Sequence, residues 1–223
     1  MPQVLVFTLA APLASWGVGG AARRPSEDVP TWSAVVGLLG AALGYARTDE
    51  RLSRLAATYT LAVRVEREGE RLWDYHTVQT PHEPALKGRA AGTRAEELQA
   101  VNPDGVPWTN ITRREYIADG SWSVAVWPLT DHPDPSPEDL ARALEEPVYP
   151  LYAGRRGCLL AAPLRPQVKD AQHLAEVLEP TGRLCWDVRI PGGPVAAAQV
   201  RERRDLLLSP SRRTFGVRQE AFL

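Results

Sequence analysis

Arginine doublets stand at Arg23-Arg24, Arg113-Arg114, Arg155-Arg156, Arg203-Arg204 and Arg212-Arg213. A guanidinium is always charged and carries a rigid fork of donors, so two in succession can clamp a phosphate or carboxylate. The doublet inside Gly154-Arg155-Arg156-Gly157 is the most informative, because flanking glycines let backbone amides approach an anion beside the side chains. The structural alternative is an ordinary solvated turn, and the other doublets are individually weaker. Held in one groove, the doublets would contact several phosphates of a single strand, each adding about −0.7 to the slope of log K against log salt. Arginine abundance alone decides nothing. Only Lys87 and Lys169 among 26 basic residues are lysine, a bias that GC-rich coding also produces.

A second constellation is Trp73-Asp74-Tyr75-His76-Thr77, with Lys87 downstream. A metal-independent ribonuclease needs a base for a 2′-hydroxyl, an acid for the leaving oxygen and a cation for the developing phosphorane charge. His76, Tyr75 and Lys87 are the candidates for those roles. The structural alternative is that His76 and Tyr75 pack and hydrogen-bond at the root of the segment that follows. The histidines His76, His82, His132 and His173 show no HxxxH or HExxH spacing, and Cys158 and Cys185 form no CxxC pair, so no metal site is expected. There is no GxSxG elbow and no phosphate-binding P-loop. No cofactor and no small-molecule substrate are expected.

The elements that must position these residues follow from pattern. Of 223 residues, 44% are apolar, enough for a sizeable core. The formal net charge of −1 excludes a generically basic nucleic-acid binder, but the charge is uneven. Residues 151–223 carry 12 Lys/Arg against 7 Asp/Glu, whereas 131–146 carry one Arg against 6 acids. That asymmetry predicts an electrostatic face for phosphate or for an acidic protein surface. Two cysteines fit a reducing cytoplasm. The N-terminal stretch lacks a leading Lys or Arg and reads as a buried strand, not a signal peptide. No apolar run reaches the roughly 18 residues of a membrane span, so no membrane partner is expected.

Residues 3–9 form the first strand. Thr31 caps a helix over about 32–43, in which Gly37 and Gly40 are expected to let the helix lie close on a sheet. A strand follows over about 59–66. The Pro- and Gly-bearing stretch 79–110 is too long for an ordinary connection and reads as a protruding excursion. Asp119-Gly120, between two strand-like runs, predicts a tight hairpin. Ser136-Pro137-Glu138-Asp139 opens a helix to about 146. Cys158–Ala162 reads as a short strand, and 165–223 as a helix at about 170–179 followed by irregular or β structure.

The order is βαββαβ, an α+β ferredoxin-like or RNA-recognition-motif-like fold with an insertion. Such a motif normally stacks bases on aromatics of its central strands. Here the first strand offers only Phe7, and Trp122 and Trp127 fall on opposite faces. If RNA is bound, loops and arginines are expected to hold it.

Five blocks carry a resemblance: Ala11-Pro12-Leu13-Ala14-Ser15-Trp16-Gly17; Pro30-Thr31 with Gly37-Leu38-Leu39-Gly40; Asp74-Tyr75-His76-Thr77-Val78; Arg114-Glu115-Tyr116-Ile117-Ala118-Asp119; and Tyr152-Ala153-Gly154-Arg155-Arg156-Gly157-Cys158. In this order the sequence resembles the CasD family, the type I-E branch of the repeat-associated CRISPR proteins. The resemblance implies a ferredoxin-like palm over 1–164, a thumb at about 78–112, and a basic C-terminal extension over 165–223 packed on the palm. It implies a non-catalytic subunit of the Cascade surveillance complex, active in antiviral defence. Such a subunit caps a filament of backbone subunits, touches the large subunit and holds the 5′ handle of the guide RNA. By position, handle contacts are expected from Arg23, Arg24, Ser33, Lys87, Arg89, Arg113 and Arg114, joined by Arg155 and Arg156. The processing ribonuclease of type I-C relatives is the alternative. Trp32 stands where the family commonly has a basic residue, which counts against a phosphate contact at that helix start.

Overall fold

The computed structural model describes residues 1–17, 22–80, 93–99, 108–194 and 199–223. The first strand, β1 (Gln3–Ala14), alternates with period two: Leu5, Phe7 and Leu9 are buried on one face, Val4 on the other. The chain then runs through the two-residue strands β2 (Trp16–Gly17), β3 (Arg23–Arg24) and β4 (Ser26–Glu27) into helix α1 (Trp32–Ala42). As the sequence predicts, Thr31 caps α1, its side chain accepting from the Ala34 N–H at 3.3 Å. Helix α2 (Arg51–Thr58) leads into β5 (Tyr59–Arg67) and β6 (Glu70–Thr80). A short helix α3 (Arg94–Gln99) precedes the 21-residue strand β7 (Trp108–Pro128). Helix α4 (Pro137–Glu145) begins in the predicted capping box of Ser136 and Asp139. Strands β8 (Gln167–Asp170), β9 (Leu184–Asp187), β10 (Gln199–Ser209) and β11 (Thr214–Phe222) complete the described elements.

The fold is mixed, with one large, mostly antiparallel sheet and few helices. Its order is β10-β11-β9-β5-β7-β1-β8, with β3 and β6 also paired to β7. Segment 165–223 supplies strands at both edges. One face carries Leu5, Phe7, Leu61, Val63, Val124 and Val126 against Trp32, Leu39, Leu55 and Leu140 of the three longer helices. The opposite face carries Val4, Ala62, Ala125, Trp127 and Trp186 beneath Leu174 and Leu178. Trp122 and Trp127 therefore serve separate cores, as strand parity predicts.

Asp119-Gly120 does not form a hairpin. Strand β7 runs straight through, pairing with β5 up to Arg67↔Ser121 and with β6 from Glu70↔Ala118. Thus β5 and β6 are one long strand interrupted at Glu68-Gly69, directly across from Asp119-Gly120. Both breaks use left-handed backbone, φ +72° at Gly69 and 56° at Asp119, and Arg67 Nε donates to the Asp119 carbonyl at 2.5 Å. Asp-Gly supplies the left-handed conformation as expected. The partners available on both sides of β7 make it a bend, beyond which β7 pairs with β6 in place of β5.

Three smaller expectations also change. Cys158–Ala162 contributes only the isolated bridge Tyr152↔Leu159. The predicted helix at 170–179 is a single 3₁₀ turn, Leu174–Glu176, because 167–170 are taken by pairing with β1 and Pro180 lies close behind. Gly40 admits Leu52 of α2, not a strand; a Cβ there would lie 2.2 Å from that side chain, while nothing lies near a Cβ at Gly37. Among the described residues no helix is long and apolar enough to cross a membrane.

Candidate nucleic-acid interface

Beyond that bend β6 and β7 form a ribbon that pairs continuously out to Thr80↔Trp108. Its base holds most of the expected contacts. β3 lies parallel beside β7, pairing Arg23 with Arg113 and Arg24 with Arg114, and so takes over the edge that β1 covers as far as Ile117. β6 supplies Tyr75 opposite Arg113 and Asp74 opposite Arg114. Paired residues share a face of a sheet, so the cluster has two sides. One side carries Arg23, Arg113, Tyr75 and Trp73. The other carries Arg24, Arg114, Asp74, His76 and Tyr116.

Arg155 joins the second side. Its Cζ sits 4.7 Å from the Tyr116 ring centroid, and its guanidinium donates to the carbonyls of Glu115 (3.3 Å) and Arg24 (3.2 Å). Gly154 makes this possible. Its φ is +91°, and a Cβ would stand 1.9 Å from the Ser15 carbonyl oxygen, so the loop lies directly on the Ser15-Trp16 backbone. Arg156 is exposed beside it.

A buried carboxylate holds β3 in place. Glu115, 4% exposed, accepts from the Ser26 N–H at 2.9 Å and pairs with Arg71, while its backbone carbonyl accepts from the Ser15 hydroxyl at 3.1 Å. Arg71 and Arg183 both pair with Asp28, whose carbonyl accepts from Trp122 Nε1 at 3.0 Å. Partial burial pushes the Asp28 carboxyl up, but the Arg183 and Arg71 guanidiniums outweigh it and hold the group below its ordinary value. Segment 22–30 is thereby fastened to the ribbon, and its two arginines are held against β7.

Other expected residues lie elsewhere. The Ser33 hydroxyl is 3.3 Å from Thr31 Oγ1 at the start of α1, and among the described residues no hydrogen bond joins it to the arginine cluster. Lys87 and Arg89 lie outside the described residues. Arg203 is sunk in a network that also holds Arg218, Arg201, Glu27, Asp205 and Glu220. Much of the C-terminal basic charge is therefore spent internally and forms no open face. Arg212 and Arg213 occupy the turn between β10 and β11. Trp32 is fully buried, donating from Nε1 to the Ala56 carbonyl at 3.1 Å, so this helix start presents core where a cation was the family pattern.

Tyr75 and His76 are neighbours in β6 and project to opposite faces of the ribbon. His76 instead faces Asp74, with Nδ1 to Oδ2 at 3.8 Å. Two groups on opposite faces cannot converge on one phosphate as an acid and base pair.

Residues 4–220 match the family described as CRISPR-associated protein (Cas_Cas5). The chain belongs to that family. The CRISPR system Cascade subunit CasD of Escherichia coli (strain K12) is 34% identical over 195 residues, which span 82% of this chain and 80% of that one. A chain of a solved structure titled CRISPR RNA-guided surveillance complex matches with a TM-score of 0.68 at 26% identity, covering 99% of this chain and 89% of the other. A second, titled crystal structure of Cas protein, matches with a TM-score of 0.61 at 26% identity, covering 99% and 93%.

Four of the five sequence blocks of this Cas5-family chain meet at the ribbon base: Ser15-Trp16, Asp74–Val78, Arg114–Asp119 and Gly154-Arg155. Sequence reasoning missed Glu115 and Arg71, which read as strand residues like any others, and it did not foresee Trp73 as an exposed aromatic beside Arg23. Alternation along 71–79 carried the one available signal, since Trp73 and Tyr75 share parity with Arg71.

Proposed function

We propose that this chain is an RNA-gripping subunit of a CRISPR Cascade complex that holds the 5′ end of the guide RNA without cutting it. The gathering of five arginines at the base of one ribbon, Arg23 and Arg113 on one face and Arg24, Arg114 and Arg155 on the other, carries the proposal. Guanidiniums at strand spacing, on a projecting arm, suit a single ribose-phosphate strand laid across the arm's base. Arg156 stands close enough in sequence to add a further contact, and Lys87 and Arg89 are proposed as further contacts on sequence grounds alone. Ser33 contributes only if RNA reaches the start of α1. The relatives named as a Cascade subunit and as part of an RNA-guided surveillance complex support guide RNA as the ligand and the backbone and large subunits as protein partners. The strand order β8-β1-β7-β5, with α1 and α4 on one face, supports a ferredoxin-like palm. The ribbon with α3 then corresponds to the thumb, and the C-terminal strands to an extension of the palm.

The competing function is a metal-independent ribonuclease using His76, Tyr75 and Lys87. The opposite orientation of Tyr75 and His76 speaks against it. Incubating the purified protein with repeat RNA in EDTA separates the two. Intact RNA is the expected result, and cleavage at one position, lost in His76→Ala, overturns the non-catalytic assignment. Sequencing the RNA that co-purifies with the assembled complex tests the grip itself. Guide RNA is expected with the wild type and is depleted with Arg113→Ala/Arg114→Ala; unchanged retention sinks the proposal.

A further inference from the structure

The side of the ribbon that carries Arg23 and Arg113 has a feature that phosphate contact leaves unexplained. Trp73 is 42% exposed and Tyr75 59% exposed, two large rings on one face of a strand that is exposed or half-buried along its length. With Arg23, Asp74 and Arg113 they line an open cleft of about 420 Å³, within the roughly 300–1,000 Å³ range of ligand clefts. Arg23 Cζ lies 5.0 Å from the Trp73 ring centroid and Arg113 Cζ 6.0 Å from that of Tyr75. Neither of these two guanidiniums is paired with a carboxylate among the described residues, and the nearby Glu115 is already committed to Ser26 and Arg71.

Residues two apart on a strand stand about 7 Å apart along it, twice the roughly 3.5 Å of carbon–carbon contact. A planar ring therefore fits against both Trp73 and Tyr75, with Arg113 and then Arg23 next to it across the ribbon for the adjoining phosphates. We propose that Trp73, Tyr75, Arg23 and Arg113 form a stacking subsite for one unpaired base of the bound RNA strand, which rests on the RNA-gripping function proposed above. The aromatic rings supply the base contact and the arginines the backbone contact. Because every base has a π-face, the subsite selects an unstacked nucleotide over an ordered helix, with little preference among bases.

The test uses the full chain and two RNAs: a short mixed-sequence single strand, and the same strand with a run of abasic ribose-phosphates. Stacking corresponds to roughly 5- to 150-fold in affinity per base. The intact strand is therefore expected to bind about 10-fold tighter and to quench tryptophan fluorescence, because Trp73 is exposed while Trp16, Trp32, Trp122, Trp127 and Trp186 are buried. Trp73→Leu/Tyr75→Leu is expected to erase both the preference and the quenching, so that the variant binds the two strands alike. Equal binding of the two strands by the wild type, with the variant indistinguishable from it, overturns the stacking subsite. That outcome leaves the arginine grip standing. Failure of the wild type to bind either strand overturns the RNA-gripping function as well.

Discussion

Arg23 and Arg113 are direct neighbours in a parallel ladder, two cations from distant parts of the chain set side by side on adjacent strands. Strands lie about 4.8 Å apart, and like charges opposite one another destabilise a sheet. Each guanidinium rests on its own aromatic ring, Arg23 on Trp73 and Arg113 on Tyr75, which lessens the repulsion without cancelling it. A phosphate placed between them would relieve it fully. Among the described residues no carboxylate pairs with Arg23 or Arg113, which is the arrangement the proposed phosphate grip requires.

Removing the second doublet should change salt dependence as well as affinity. In Arg113→Ala/Arg114→Ala the slope of log K against log salt for single-stranded RNA is expected to become shallower by about 1.4, two contacts at about 0.7 each. Titrations at several salt concentrations read this directly. An unaltered slope would mean that these side chains touch no phosphate.

Glu115 should matter out of proportion to its distance from any ligand. Glu115→Ala leaves the buried Ser26 N–H without its acceptor and takes from Arg71 its buried partner, a loss of about 2 kcal/mol. RNA affinity should fall too, because β3 is no longer fastened beside β7. Glu115→Gln keeps an acceptor for Ser26 and should retain more of both. Urea unfolding midpoints, measured beside RNA binding, check this.

Gly154→Ala forces a side chain into left-handed backbone and towards the Ser15 carbonyl. A cost of at least about 1–2 kcal/mol is expected, with Arg155 drawn off Tyr116 and RNA binding weakened. Gly157→Ala, where a Cβ meets nothing within 4 Å, is the matched control and should be close to neutral. Thermal unfolding of the two variants distinguishes a steric effect from a general loss of loop flexibility.

Acid should loosen two fastenings together. Burial pushes the Asp187 carboxyl up, but hydrogen bonds from Arg189 and Thr60 outweigh it and hold the group below its ordinary value, as Arg183 and Arg71 do for Asp28. A carboxyl depressed in the folded state contributes stability that is fully present above its unfolded pKa, near 3.9. That contribution is lost as pH falls through the folded value. Urea midpoints should therefore hold steady above about pH 5 and drop below about pH 4. Asp187→Asn should flatten part of that drop, and a pH series of unfolding curves tests it.

Local chemistry made much of the framework legible. Thr31 and Ser136 announced α1 and α4 because a cap is a contact between near neighbours. β1 and β5 declared themselves by alternation. The α+β class followed from element order, and the doublets from residue type alone. What pairs with what was decided only by the tertiary structure. Asp119-Gly120 has the local chemistry of a reversal, yet partners on both sides of β7 turn it into a bend within one continuous strand. Nothing near Arg203 in sequence tells it apart from Arg23, yet one is sunk among carboxylates and the other stands open beside Arg113. Tyr75 and His76 are adjacent in sequence and part company across the ribbon. Residue type and local pattern determine which groups can act and where elements begin; strand register, set by contacts between distant segments, decides which of those groups meet.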